Sequence, residues 1–136
     1  MKKLPLALLL GCLAIPAAVQ AQTSPVPSAD IQIKTALLAA PSDKKDGAKV
    51  YGYAADGKFK VLRDGSNDLI CLADDPTTKG INVSCYHTKL EPFMARGREL
   101  KDQKKSAKEV FDMREEEAKS GKLKMPDAPS TLFVLS

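Results

Sequence analysis

The strongest folding signal in the chain lies at residues 69–87, LICLADDPTTKGINVSCYH. It predicts two short strands joined by a polar loop, with one cysteine on each strand. If the loop is centred on Thr78, residues pair when their numbers sum to 156, so that Cys71 faces Cys85. Directly opposed residues of an antiparallel pair have Cβ atoms about 4.5–5.5 Å apart, which is near the reach of a disulfide. We therefore expect a cross-strand disulfide at the centre of the domain.

Turn signals at short intervals around this hairpin predict further strands. Asp56-Gly57 is a strong tight-turn dipeptide, and residues 64–67 form a second polar turn. Turns so closely spaced favour an antiparallel meander over parallel strands with crossover helices. A terminal apolar strand must find a partner, so it either adds to this meander or contacts another subunit. The predicted strands cover residues 48–53, 58–63, 69–73, 81–86 and 131–135.

Capping signals predict helices before and after the strands. Ser28 or Asp30 could cap a short helix that ends before Pro41, although its first apolar residues also alternate as in a strand. Residues 88–91 and 106–109 both have the spacing of a capping box, which predicts two amphipathic helices with a break between them. The predicted fold is therefore α+β: a small four-stranded antiparallel meander with a cross-strand disulfide hairpin, followed by two amphipathic helices and a C-terminal strand.

The N-terminus has the pattern of a secretory signal. Two lysines precede an apolar run over residues 4–19, and small residues predict cleavage after Ala21. The run is interrupted by two prolines and is short for a membrane span of about 20 residues, although a retained anchor is an alternative. Residues 9–12, Leu-Leu-Gly-Cys, also resemble a bacterial lipoprotein box, in which Cys12 would become the lipidated N-terminus.

Cleavage at this point would leave one small exported domain. The 115 residues that remain (136 − 21) are enough for one modest core. The predicted segments are a signal peptide at 1–21, a flexible lead with a short helix and a linker at 22–46, and a single α+β domain at 47–136. The formal charge falls from +4 to +2, which is too small to favour nucleic acid as a partner. The two cysteines that remain fit an oxidising compartment.

Few residues could carry chemistry. His87 is the single histidine, and Glu91 could orient its ring, so these two residues are the candidate catalytic pair. A metal site could instead use Cys71, Cys85 and His87, but zinc needs four ligands, or three and a water, and no second cluster is present. Asp74 could supply an oxygen ligand or a further acidic group. The simpler interpretation is a structural disulfide and a strand-end histidine, with no cofactor expected, because no known nucleophile or nucleotide motif occurs.

The helical region has segregated charge. Residues 96–108 contain six basic and two acidic side chains, whereas residues 109–117 contain five acidic and one basic. The basic stretch could contact an anionic surface such as lipid head groups or polysaccharide. The alternative is that the charges of the two helices compensate each other. The candidate basic patch consists of Arg96, Arg98, Lys101, Lys104, Lys105 and Lys108.

Several motifs together resemble a set of uncharacterised, predicted-exported bacterial proteins. They are CLADDP at 71–76, CYH at 85–87, LEPFMARGREL at 90–100 and KLKMP at 122–126. The resemblance implies export and kinship but no activity. It also implies that relatives continue beyond the segment matching 132–136, so that the chain could be truncated there.

These observations predict a small exported, disulfide-stabilised binding or structural module of the bacterial cell envelope. It would be periplasmic or secreted, or a lipoprotein anchored at Cys12, without a transmembrane span in the mature chain. Its partner would be an envelope protein or an anionic surface, and Leu132–Leu135 could mediate self-association. The alternative function is a small periplasmic hydrolase or metal-assisted enzyme centred on His87.

Overall fold

The structure, a computed structural model, describes residues 26–136. The predicted signal peptide over residues 1–21, with Cys12, lies outside the described residues. Short 3-10 turns at Leu37–Ala39 and Thr88–Leu90 follow the first helix and the fourth strand. The elements are α1 (Ala29–Ala36), β1 (Lys49–Tyr53), β2 (Phe59–Arg63), β3 (Leu69–Leu72), β4 (Val83–His87), α2 (Glu91–Asp102), α3 (Ala107–Lys119) and β5 (Leu132–Leu135).

The α+β class is confirmed, but the prediction of an all-antiparallel meander is wrong. The five strands form one mixed sheet in the order β2-β1-β3-β4-β5. β1 pairs antiparallel with β2 but parallel with β3, where Val50 lies opposite Cys71. β5 pairs antiparallel with β4 and becomes the fifth strand of the sheet. β1 therefore separates β2 from β3, which a meander would place side by side.

The connection from β2 to β3 explains this order. The backbone N–H groups of Ser66 and Asn67 donate to the carbonyl of Gly47, at 2.8 and 3.1 Å. Gly65 lies directly against Lys49, because a Cβ at position 65 would be only 2.6 Å from the Lys49 backbone nitrogen. The polar turn thus carries the chain closely past the start of β1, and β3 then runs along the free side of β1 in the same direction.

The hairpin of β3 and β4 has the predicted register and the predicted disulfide. The sulfur atoms of Cys71 and Cys85 are bonded at 2.06 Å, and their Cα atoms are 4.0 Å apart. Both cysteines are fully buried, so the bond lies inside the core. The aligned pairs are Leu69 with His87, Ile70 with Tyr86, Cys71 with Cys85, and Leu72 with Ser84.

Helix α1 covers the face of the sheet that carries the disulfide. Ala36 at its end and Ala40 beyond it belong to the same buried cluster as Val50 and the two cysteines. The buried side chain of Gln32 joins α1 to β1, because its amide accepts from the Tyr53 N–H at 2.8 Å and donates to the Tyr53 carbonyl at 2.9 Å. The predicted short helix is therefore part of the core.

Helices α2 and α3 lie on the opposite face of the sheet, where the hydroxyl of the buried Tyr86 donates a hydrogen bond to Glu91 of α2. They are two helices, as predicted, because Ser106 and Glu109 form a capping box at the start of α3. Arg96 of α2 donates to both carboxylate oxygens of Glu117 on α3, at 2.8 and 2.7 Å. This bidentate pair joins the two helices, and the sheet lies between α1 and the pair.

The double substitution Cys71→Ala/Cys85→Ala tests how much the disulfide stabilises this arrangement. The bond links residues 14 apart in sequence, so on the loop-entropy account its loss lowers the free energy of unfolding by about 3 kcal/mol. Urea denaturation measures the change. Reductant should weaken the wild-type protein and leave the double variant unaffected. A wild-type protein insensitive to reductant would contradict the assignment.

Candidate functional site

The imidazole of His87 is held at both nitrogens. Its Nδ1 accepts from the backbone N–H of Lys89 at 3.1 Å, which leaves the proton on Nε2 of the neutral ring. Nε2 lies 3.3 Å from Oδ2 of Asp68, whose other oxygen accepts from Lys44 Nζ at 2.6 Å. The hydrogen bond from Lys44 lowers the pKa of Asp68. His87 therefore faces an ionised carboxylate and has no free ring nitrogen in this arrangement.

Asp68 is a partner of His87 that was not predicted from the sequence, although the predicted register places the two residues close together. Leu69 pairs with His87, so the residue before Leu69 must lie near the end of β4. The backbone confirms this proximity, since the N–H of Thr88 donates to the carbonyl of Asp68 at 2.8 Å. Because Asp68 comes directly before Leu69, the strand register alone could have identified it as a neighbour of His87.

The structure does not bring the two candidate residues His87 and Glu91 together. Adjacent residues of a strand point to opposite faces of the sheet, so His87 lies on the disulfide face and Tyr86 on the helical face. Glu91, at the start of α2, accepts from the Tyr86 hydroxyl at 2.5 Å and from Arg98 at 2.6 Å. Arg98 also donates to the Tyr86 hydroxyl, at 2.9 Å. Glu91 therefore belongs to a network that holds α2 on the sheet.

The other predicted chemical groups are also not assembled around His87. Cys71 and Cys85 are bonded to each other, so the disulfide removes the thiolates that the metal alternative with His87 needs. Asp74 closes the hairpin loop by accepting from the Asn82 N–H at 2.9 Å. Within residues 26–136, no group of three His, Cys, Asp or Glu side chains is placed to hold a metal ion.

Arg98 has a second, aromatic environment that the sequence did not reveal. Its guanidinium lies 5.4 Å from the ring centre of Tyr51 and 5.5 Å from that of Phe59. The two rings stack at 5.5 Å, and Lys49 lies over the outer part of this group, 5.2 Å from Tyr51. Cation–π contacts of this kind add to the attachment of α2 to β1 and β2.

The candidate basic patch is largely neutralised by ion pairs. Arg96 and Arg98 pair with glutamates, and Lys105 and Lys108 each pair with the acidic residue of α3 that lies four positions later in the chain. Lys101 and Lys104 form no ion pair with the residues that the structure describes. Most basic side chains of the patch are therefore paired, and the pair of Arg96 with Glu117 is the one among them that joins α2 to α3.

Strand β5 has an exposed apolar surface. Leu132, Val134 and Leu135 are 49 %, 57 % and 42 % exposed, whereas Phe133 packs against the core. Leu132 and Val134 lie on the helical face, because they pair with Tyr86 and Ser84. Ala128 to Ser136 contains no charged residue. We refer to Leu132–Leu135, with its outward backbone groups, as the β5 edge.

The opposite edge of the sheet differs in charge. β2 and the residue before it carry Lys58, Lys60 and Arg63, and Val61 is its single large apolar side chain with high exposure, at 38 %. Charged side chains, lysine above all, discourage an edge strand from pairing with another chain. Among the residues described, β2 is thus a protected edge and β5 an unprotected one.

Two open depressions of about 300 and 220 Å³ lie on the helical side of the described chain. The larger is lined by Lys89, Pro92 and the segment 124–127, and the smaller by α3 and Lys122. His87 lines neither of them.

Burial controls the ionisation of two tyrosines. Burial, followed by the hydrogen bond to Glu91, raises the pKa of Tyr86 far above its usual range. Burial also raises the pKa of Tyr53 to about 12. Both phenols therefore stay protonated in the folded chain at pH values where an exposed tyrosine ionises.

Two findings complete the description of the site. Within residues 26–136, no helix combines the length and apolar character needed to cross a membrane. Comparisons of the chain with protein-family models, curated proteins and solved structures return no match. The geometry of the described residues is therefore the basis for inferring function.

Tyr86→Phe tests the network around Glu91. The free energy of unfolding of the wild-type protein should fall above about pH 10, because tyrosine then loses its proton in the unfolded chain but not in the folded one. Tyr86→Phe should reduce this alkaline loss, and it should cost about 1–3 kcal/mol at neutral pH through the unpaired groups left behind. Urea titrations at several pH values measure both effects.

Tyr53→Phe serves as the comparison, because it removes the second phenol whose pKa is raised while leaving Glu91 and Arg98 paired. It should reduce the alkaline loss with a smaller cost at neutral pH. An alkaline loss in Tyr86→Phe equal to that of the wild-type protein would exclude the role assigned to Tyr86.

Proposed function

We propose that this chain is a small exported binding module of the bacterial cell envelope that contacts its partner through the β5 edge. The observation that carries the proposal is the contrast between the two edges of one sheet. β2 is charged, whereas β5 is uncharged and exposes Leu132, Val134 and Leu135. An unprotected apolar edge invites another chain to pair with it, and proteins normally avoid one unless it is used.

The mode of contact would be strand addition. β5 pairs with β4 on one side, and the backbone N–H and C=O groups of its other side can accept an extended segment. Such a segment gains main-chain hydrogen bonds, and its side chains contact Leu132 and Val134 on one face and Leu135 on the other. The disulfide supports this role because it fixes the register of β4, the strand with which β5 pairs.

Export is proposed from the sequence and supported by the disulfide. Residues 1–21 would be a signal peptide removed after Ala21, and the chain would be periplasmic or secreted. A buried disulfide fits such an oxidising compartment, because cytosolic thiols are normally kept reduced. The alternative is a lipoprotein anchored through Cys12.

The other two candidate functions have less support. Binding to an anionic surface would rest on Lys101 and Lys104, because the remaining basic side chains of the patch are paired. A hydrolase would rest on the contact between His87 and Asp68, which resembles the orienting half of a catalytic triad. That contact lies outside both depressions and has no serine or cysteine nucleophile beside it in the described hydrogen bonds.

The N-terminus of the recovered protein tests export. We expect mass spectrometry of the chain from envelope extract to give a first residue of Gln22. Ala21→Leu should block this cleavage, because the position before the cut requires a small residue, and Ala18→Leu should leave it intact. An acylated Cys12 would replace the signal-peptide proposal by the lipoprotein alternative. A chain that begins at Met1 in the cytoplasm would contradict export.

Photo-crosslinking in the producing cells tests the β5 edge. Benzoylphenylalanine placed at Val134 should give an adduct with another polypeptide, and the same group at Val61 should not. The two valines form a matched pair, since each is exposed on the helical face of an outer strand. Leu132→Lys should abolish the adduct from position 134. Equal adducts from both positions, or none from position 134, would contradict the proposal.

A further inference from the structure

We infer that the partner of the β5 edge is a second copy of this chain, an inference that rests on the proposed function of that edge. Two β5 strands would pair antiparallel about a two-fold axis normal to the sheet. The two five-stranded sheets would then continue as one. Such an isologous contact uses the same residues on both copies.

Charge is the first argument for a second copy. A homotypic contact brings two copies of the same strand side by side, so a strand that carries one sign of charge places like charges close together and removes them from water. Ala128 to Ser136 contains no charged side chain, so two β5 edges can approach without this cost. Two β2 edges would instead bring together two sets of the same three cations, Lys58, Lys60 and Arg63.

The alternation of faces is the second argument, because it limits the registers that two β5 strands can adopt. A two-fold axis normal to the sheet keeps the helical faces of both copies on the same side. Opposed residues must share a face, so an axis through Phe133 sets Leu132 against Val134 of the second copy, and Val134 against its Leu132. The two most exposed side chains of each β5 edge on the helical face thereby cover those of the other copy.

The registers differ in which leucine is left opposite a hydroxyl. The axis through Phe133 leaves Leu135 opposite Thr131 of the second copy, whereas an axis through Val134 leaves Leu132, the more exposed of the two leucines, opposite Ser136. Leu38, more than half exposed, lies in the 3-10 turn that packs against β5 and forms the rim of the contact.

The expected dimer is weak. A strand of four residues provides a small interface, well below that of a permanent complex. Sedimentation equilibrium of the exported chain should therefore show a monomer–dimer equilibrium with a dissociation constant on the order of micromolar to tens of micromolar. Val134→Lys should raise this constant at least tenfold. Val61→Lys, the same change on the exposed helical face of β2, should leave it unchanged.

A charge exchange tests the register as well as the surface. Leu132→Glu alone should also weaken the dimer, because the introduced carboxylate faces an apolar side chain. An equimolar mixture of the Val134→Lys and Leu132→Glu variants should dimerise again, since the axis through Phe133 sets the new lysine against the new glutamate. High salt should weaken the mixed dimer. Circular dichroism and thermal unfolding confirm that each variant is folded, and both altered side chains are about half exposed.

The outcomes separate this inference from the proposed function. A wild-type chain that stays monomeric at the highest concentration overturns self-pairing, while an adduct from position 134 with a different protein would still support strand addition. A dimer that is unaffected by Val134→Lys and Leu132→Glu must use an interface elsewhere on the chain, and this result overturns the inference. Failure of the mixed variants to dimerise overturns the register through Phe133.

Discussion

The disulfide between Cys71 and Cys85 fixes the register at the middle of the sheet. It joins β3, the central strand, to β4 at the position where both are fully buried against α1. A slip of one residue between β3 and β4 would turn every side chain of one strand to the opposite face. The covalent link forbids that slip, so it determines what each face of the sheet carries.

The separation of polar groups in the domain follows from this fixed register. Tyr86 points to the helical face and binds Glu91 and Arg98, whereas His87 points to the other face and meets Asp68. Neighbouring residues that could have formed one chemical site are thus divided by the sheet. The hydrogen bonds of Tyr86 attach α2 to the sheet, and the contact of His87 with Asp68 attaches the loop before β3 to β4. These contacts favour a structural role for both side chains.

The two edges of the sheet differ in the groups that they expose to water. Most of the polar and charged side chains on α2 and α3 have partners within the chain, and β2 is protected by cations. At β5 the exposed groups are apolar side chains and one row of backbone donors and acceptors. Burial of the apolar side chains would lower the free energy, and the backbone groups could leave water without cost only if another strand paired with them. The function proposed for this protein therefore rests on this edge.

Residues close in the chain were sufficient to predict the disulfide hairpin, its register, the capping box at Ser106 and the α+β class. Contacts between distant segments set the parallel pairing of β3 with β1, the binding of Glu91 to Tyr86 instead of His87, and the ion pair of Arg96 with Glu117. The reason is the range of the interactions. Turns, caps and the short hairpin are set by residues close in the chain. The strand order depends on which side of β1 the connection at residues 64–68 crosses to. Packing between segments that are distant in sequence determines that side.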